Sequence, residues 1–564
     1  MIFSIQKFFW ISSILLIAGC GSAPRNGQEY DLLITGGLVV DGTGAPGIYA
    51  DVGIKGDLIA AVGELSSASA ARVIDATGLA IAPGIIDIHS HSDYSLLVDG
   101  QAESKIRQGV TTEILGEATS AGPFPPGEKS HGKIESDHYG VKIDWESLGD
   151  YFDRLKAGGA SVNIGSYVGS MTVRRYMLGD TNRKATAEEM KRMAELVRQA
   201  MREGALGVAS ALLGSPLSTE ELIAMARAAG EYGGIYSTHI RDEGSLIFES
   251  LDEAFHIGKE AGVPVDVLHL KIAERKLWGQ MDKVLARFEE ARASGVQATA
   301  NMYPYIAGQN NLSALIPPQG WEGGTDAMLE RLRDPARRAE FREILYAGGL
   351  PNWYNHYTSS AGWQSMLIVS TRADKNRGLV GMTMDQVIAR RSKGEPIDVL
   401  YDLLLEENGS VPTIYFLMTE EDVAAAMRSP LVSFGSDGTA VKPGGVLGQG
   451  KPHPRWYGTF PRILGKYVRE EKVLTLETAI LKMTWMNAQK TGLRDRGLVR
   501  ERMAADLFLF DPKRILDRAT FSDPHQFPVG VEYVLVNGTV VLEQGEHTGR
   551  KPGRILYGPG YEKQ

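Results

Sequence analysis

His89-Ser90-His91 is the first place in the chain where residue type and spacing could do chemistry. It follows Ala82-Pro83-Gly84-Ile85-Ile86-Asp87-Ile88, an apolar run after a turn. Side chains two apart on a strand point to one face, so two imidazoles at a strand end can grip one metal ion. A lone His-X-His reads equally well as two surface histidines in a loop. This one has company. His239 closes Tyr236-Ser237-Thr238-His239, His269 closes Asp266-Val267-Leu268-His269, and Asp437 follows Leu431-Val432-Ser433-Phe434-Gly435-Ser436. Four of the 11 histidines and one aspartate thus end predicted strands. In a barrel such ends converge on one mouth, where the active site sits. Imidazole and carboxylate together suit zinc. His131, His138, His256, His356 and His547 have no such placement and read as structural or surface residues.

The elements that must position these residues alternate in type. From Pro83 to about Leu493, short apolar runs alternate with longer helical stretches. The spacing predicts helices over 186–203, 220–231, 251–261 and 281–294, with Thr186 as a cap and Glu188 and Glu189 in the first turn of the first. Strands are predicted at 207–209, 234–239, 263–269 and 296–301. Strand, helix, strand, helix means parallel β/α units, and a run this long favours a (β/α)₈ barrel over an open sheet. Residues 310–418 carry Pro317-Pro318, several tryptophans and possible helices at 334–345 and 397–406. They read either as an insertion over the barrel mouth or as further barrel helices with long connections. Residues 30–82 and 494–557 are β-rich, with Asn537-Gly538 as a hairpin turn. The two ends are expected to pair into one small β-sandwich domain, leaving 83–493 for the barrel.

Composition excludes some functions and suggests a location. The chain has 564 residues, 43% hydrophobic and 23% charged, as in ordinary globular proteins. A net charge of −9 argues against a nucleic-acid partner, because no domain-wide basic excess is available to neutralise phosphates. Cys20 is the single cysteine, so no internal disulfide can form and a metal site further along must use nitrogen and oxygen. Phe8 to Ala18 is almost wholly apolar. That is shorter than the ~20 residues a membrane-spanning helix needs and has the length of a signal-peptide core. Ile17-Ala18-Gly19-Cys20 resembles a bacterial lipobox, which implies a signal peptide over 1–20, a lipid on Cys20 and a tether over 21–29. The resemblance implies export to the periplasmic side, and Gly21 after Cys20 points to the outer membrane. An ordinary signal peptide with an incidental cysteine is the alternative.

The later segments carry a family resemblance. Pro83 to His91, Gly109-Val110-Thr111-Thr112 and Thr238-His239-Ile240-Arg241-Asp242-Glu243 are its first markers. Tyr303-Pro304-Tyr305, Gly435-Ser436-Asp437-Gly438 and His453-Pro454-Arg455, running on to Arg462, complete them. Over Asp31 to Tyr557 the chain resembles the D-aminoacylase (N-acyl-D-amino-acid deacylase) group of the amidohydrolase superfamily. The resemblance implies zinc held by His89, His91, His239 and His269, with Asp437 as proton-transfer residue. It implies Lys271, Tyr303 and Arg455 as candidates to hold the α-carboxylate of an N-acyl-D-amino acid, although each cation could also be a surface or structural charge. In the family a cysteine follows the strand matching Thr111–Leu115. Here Ala118 stands near that place, with Glu117 beside it. Glu117 could bridge two metals, or the site could hold one; a polar loop residue is the bland alternative.

Three other readings compete. A cyclic-amide hydrolase of the same superfamily usually needs a carboxylated lysine on a middle strand, and the candidate strand Val162 to Tyr167 has none. A dipeptidase shares the scissile amide and the carboxylate with an N-acyl amino acid. A non-catalytic solute-binding lipoprotein fits export but has no use for a metal beside a carboxylate.

Overall fold

A computed structural model of the chain describes residues 29–127, 138–348, 350, 353–391 and 394–563. The apolar leader, Cys20, the tether up to Gly27 and His131 lie outside the described residues. Among the described residues no helix is long and apolar enough to cross a membrane.

The barrel is assembled from two parallel arcs. Val110–Leu115 lies between Ile85–Asp87 and Asn163–Ser166. The second arc runs through Val168–Gly169, Gly207–Ala211, Ile235–His239, Val265–Val267, Ala298–Met302 and Val432–Phe434. The arcs meet at both ends. Tyr167 alone separates Asn163–Ser166 from Val168–Gly169, and a parallel bridge between Ser90 and Gly438 ties the first strand to the last. With the interrupted pair counted as one strand, the ring closes as a (β/α)₈ barrel.

Local sequence explains the helices around it. Ala187–Glu203 starts where Thr186 accepts from Glu189 N while the Glu189 carboxylate reaches back to Thr186 N, a reciprocal capping box. Ser218 and Glu221 do the same for Thr219–Gly230. Each such cap stabilises its helix by about 1 kcal/mol. Met193, Val197, Ala200 and Met201 then recur at helical spacing and bury one face against the barrel.

Both chain ends build the second domain. Leu507–Phe510 pairs antiparallel with Ala80–Pro83 in a nine-stranded sheet, and Ile34, Val52, Ile54, Ile81, Leu507, Leu509 and Leu535 share one core. The hairpin Val531–Val536/Thr539–Glu543 turns at Asn537 (φ +48°) and Gly538 (φ +76°), the two left-handed positions that Asn-Gly serves. Ala80–Pro83 leads directly into Ile85–Asp87, so this domain fixes the entry of the first barrel strand.

Ala298–Met302 pairs directly with Val432–Phe434, so everything between them is a single crossover. That crossover holds an antiparallel sheet of Ala307–Asn311, Met366–Ile368 and Pro412–Phe416. Four longer helices, Gly324–Arg333, Pro335–Ala347, Met384–Arg391 and Pro396–Glu406, pack over a separate core that includes Leu329, Phe341, Leu400 and Tyr415.

Candidate metal centre

Glu117 stands at the centre of the barrel mouth, and its backbone explains why. It sits between Gly116 (φ +88°) and Ala118 (φ +54°), so the chain turns sharply out of the strand Val110–Leu115. The turn is clamped against the neighbouring strand. A Cβ on Gly116 would meet Tyr167 O at 2.2 Å, and one on Gly169 would meet Ala118 O at 2.4 Å. The side chain is thereby aimed inward and buried.

His89 and His91 reach Glu117 from beyond their strand. The ladder ends at Asp87, so the expectation of two same-face residues on a strand is corrected: both histidines lie in the loop that follows. There the chain leaves the ladder to pair across the closing seam. Ser90 N still donates to Ile114 O of the neighbouring strand (3.0 Å), while across the seam His91 N donates to Gly438 O (3.1 Å) and Asp437 N to His89 O (2.9 Å). Likewise the ladder of the predicted 263–269 strand stops at Val267, and His269 (φ +35°) and Lys271 follow it.

The geometry is a carboxylate shared between two histidine pairs. Glu117 Oε2 lies 2.5 Å from His89 Nε2 and 3.1 Å from His91 Nε2. Its Oε1 lies 3.6 Å from His239 Nδ1 and 4.0 Å from His269 Nε2. Asp437 Oδ1 joins the first pair, 3.0 Å from His91 Nε2 and 3.8 Å from His89 Nε2. Two groups result, His89–His91–Glu117–Asp437 and Glu117–His239–His269, each with ligand atoms within 4.8 Å of one another. Burial pushes the Glu117 carboxyl up, but His89 and its neighbours outweigh it and hold the group well below the usual carboxylate range.

Residues behind the histidines hold this arrangement. Lys105 Nζ donates to Asp87 Oδ2 (2.7 Å), Ser436 Oγ (2.8 Å) and Gly438 O (2.9 Å), tying the His89 loop to the Asp437 loop. Glu113 Oε2 accepts from Ser92 Oγ (2.5 Å) and from Ser90 Oγ. Burial alone would push the Lys105 ammonium down; Asp87 and Glu113 outweigh it and raise it above its ordinary value. Glu243 Oε1 lies 2.9 Å from His269 Nδ1 and 2.5 Å from Lys271 Nζ.

The donor set fits a divalent cation. His239 Nδ1 and His269 Nε2 face each other at 3.1 Å, with the Glu117 carboxylate beside them. Behind them His269 Nδ1 meets both Glu243 Oε1 (2.9 Å) and Lys271 Nζ (2.6 Å), which fix the ring with Nε2 turned towards Glu117 and His239. Burial and the Lys271 ammonium push His269 down to about 4, so its imidazole is neutral at neutral pH. Imidazole nitrogens and carboxylate oxygens converging without thiolate suit zinc.

Comparison with known proteins gives this geometry its context. The amidohydrolase family model matches residues 72–331 and 401–542. D-aminoacylase of Alcaligenes xylosoxydans xylosoxydans is 34% identical over 537 residues, covering 94% of this chain and 98% of that protein. The chain belongs to the D-aminoacylase group of the amidohydrolase family. A solved D-aminoacylase with a binuclear metal centre superposes with TM-score 0.77 at 35% identity, over 94% of this chain and 100% of its own. N-acyl-D-glutamate deacylase of Bordetella bronchiseptica, solved with zinc and a phosphonate mimic of the tetrahedral intermediate, gives TM-score 0.77 at 29% identity, over 94% and 99%.

In this amidohydrolase the three residues expected to hold a carboxylate line one cavity of about 50 Å³, together with His239, His269 and Asp437. Tyr303 is buried, its ring 4.6 Å from the Arg455 guanidinium and 5.8 Å from Lys271 Nζ. Arg455 Nη2 meets Asp437 Oδ2 at 3.1 Å, while its Nε and Nη1 are buried without a hydrogen-bond partner among the described residues. His453 fixes this arginine, accepting from Arg455 N at 3.0 Å. The same cavity is lined by residues that single-sequence reasoning did not pick out: Glu243, Tyr354 and His356. His356, read from the sequence as a surface or structural residue, is buried at the cavity wall between Tyr354 and Tyr415. Glu243 had a faint signal, four residues past His239 in the motif. Lys105, Glu113, Tyr354 and His356 had none, because only long-range folding brings them here.

Proposed function

We propose that this protein hydrolyses the amide bond of N-acyl-D-amino acids, releasing a carboxylate and a D-amino acid. His89, His91, Glu117, His239 and His269, with Asp437, are the residues that would hold one or two zinc ions. Zinc so held supplies a Lewis acid and lowers the pKa of water toward about 7. The rest of the chemistry belongs to the chain. Asp437, held well below the usual carboxylate range by Arg455 and His89 against the effect of burial, is ionised and ready to accept a proton. It takes one from the attacking water at Oδ1 and passes it to the leaving nitrogen, which departs poorly until protonated.

The observation that carries the substrate class is Arg455. Among the described residues its Nε and Nη1 have no partner, which leaves N–H donors for a carboxylate, and its Nη2 touches the proton-transfer residue. A substrate gripped there has its adjacent amide beside Asp437. Lys271, beside Tyr303, completes the anion site, although Lys271 is itself paired with Glu243. The D-configuration is supported by the relatives, whose names specify D-amino acids. The test is hydrolysis of paired N-acetyl-D- and N-acetyl-L-amino acids. Cleavage confined to the D series supports the reading; preference for L substrates or dipeptides sinks it.

The location is a separate part of the proposal. The apolar leader ending at Cys20 supports a lipid-anchored, exported enzyme facing the periplasm. Labelled palmitate should enter the parent chain and not Cys20→Ser; equal labelling of both, or of neither, contradicts it.

A further inference from the structure

The family match breaks off at residue 331 and resumes at 401, and within that break lies a wall of the cavity. Asn355 starts a short helix, His356–Ser359, by accepting from Tyr357 N (3.0 Å) and Thr358 N (3.3 Å). Its Nδ2 donates to Leu345 O at 2.8 Å, fixing the turn to the preceding helix. Tyr354 OH donates to Ala273 O, and Ser359 Oγ donates to Glu274 Oε2 at 3.1 Å. The Tyr354 ring lies flush on Gly244, where a Cβ would meet it at 2.5 Å. The segment is therefore pinned to both loops that follow His239 and His269. His356 sits between two rings, 4.6 Å from Tyr354 and 4.5 Å from Tyr415. It is 4% exposed, its Nδ1 has no hydrogen-bond partner among the described residues, and it lines the cavity with Asp437 and Arg455.

A buried ring nitrogen without a partner is unfavourable, and a ligand that pairs with it removes that penalty. The ligand's charge is constrained by what else lines the cavity. Among the described residues Lys271 and Arg455 are the only lysine and arginine there, one paired with Glu243 and the other with Asp437, and the reading above commits both to the α-carboxylate. A second carboxylate on the substrate would find no further cation and would face Glu243. Burial pushes His356 down to about 4, so it supplies no positive charge at neutral pH.

We propose that His356 is a specificity residue: it hydrogen-bonds a neutral carboxamide-bearing side chain of the substrate and disfavours acidic side chains. This rests on the N-acyl-D-amino-acid reading above. A carboxamide suits either tautomer of the imidazole, since its N–H can donate to a bare Nδ1 and its carbonyl can accept from a protonated one.

The test compares kcat/KM for N-acetyl-D-glutamine, N-acetyl-D-glutamate and N-acetyl-D-methionine, three side chains of similar length, on the purified enzyme and on His356→Phe. Glutamine should exceed both others by about tenfold or more, and the glutamine-to-methionine ratio should fall about tenfold in the variant. An unchanged ratio in a folded variant overturns the proposal. So does a parent enzyme that cleaves glutamate as fast as glutamine, a result that needs no variant. Failure to cleave any of the three overturns the deacylase reading and this proposal with it.

Discussion

Arg455 and Asp437 meet through Nη2 and Oδ2 at 3.1 Å, while the other oxygen of Asp437 points at the histidines. One contact thus joins the group proposed to grip the substrate to the group proposed to move the proton. The two roles should separate kinetically. Asp437→Asn keeps the shape and removes the base, so kcat should fall by about 10²–10⁴-fold. Arg455→Met removes charged hydrogen bonds to the substrate, so kcat/KM should fall by about 10–100-fold, mostly through KM. Steady-state kinetics of both variants check this, and equal effects on kcat would contradict the division.

Glu117 spans both histidine pairs, so its loss should weaken metal binding at both. Glu117→Ala is expected to retain less zinc after dialysis than His91→Ala, because His91 serves one pair only. Metal analysis of the dialysed proteins decides, and equal zinc in the two would make Glu117 a bystander.

Glu243 is a positioning residue behind His269. Glu243→Gln removes the charge that faces His269 Nδ1 and leaves its partner Lys271 without a counter-charge. Zinc affinity should drop by about 10–100-fold, the usual effect of losing such an outer partner. Competition with a chromophoric chelator measures it without reference to turnover.

Lys105 is fully buried between Asp87 and Glu113. Lys105→Met leaves two carboxylates in the interior without a counter-charge. Such a change should destabilise the fold by about 3–5 kcal/mol, visible as a lower denaturation midpoint. A midpoint within error of the parent would mean that the two carboxylates are protonated or solvated instead.

Much of this architecture could be read from local signals. Thr186 with Glu189 marked a helix start, Asn537-Gly538 marked a hairpin, and His239 did end its strand. Strand ends alone brought His89, His239, His269 and Asp437 under suspicion, because barrel geometry converts sequence position into proximity. The reading went astray where the chain leaves its ladder early. His89, His91 and His269 sit past the last paired residue, held by bonds between distant loops that leave no periodic trace. Lys105, Tyr354 and His356 were illegible for the same reason. Their partners are hundreds of residues away, as with Lys105 and Gly438, or lie across a crossover with its own core.

The central claim, metal-dependent hydrolysis at this cluster, is tested most directly by one titration. The purified enzyme is stripped with chelator and zinc is added back while release of D-methionine from N-acetyl-D-methionine is followed. The account predicts negligible release from the stripped protein and recovery that saturates at one or two zinc ions per chain. Full activity in the stripped protein, or zinc bound to saturation with no release, would contradict it.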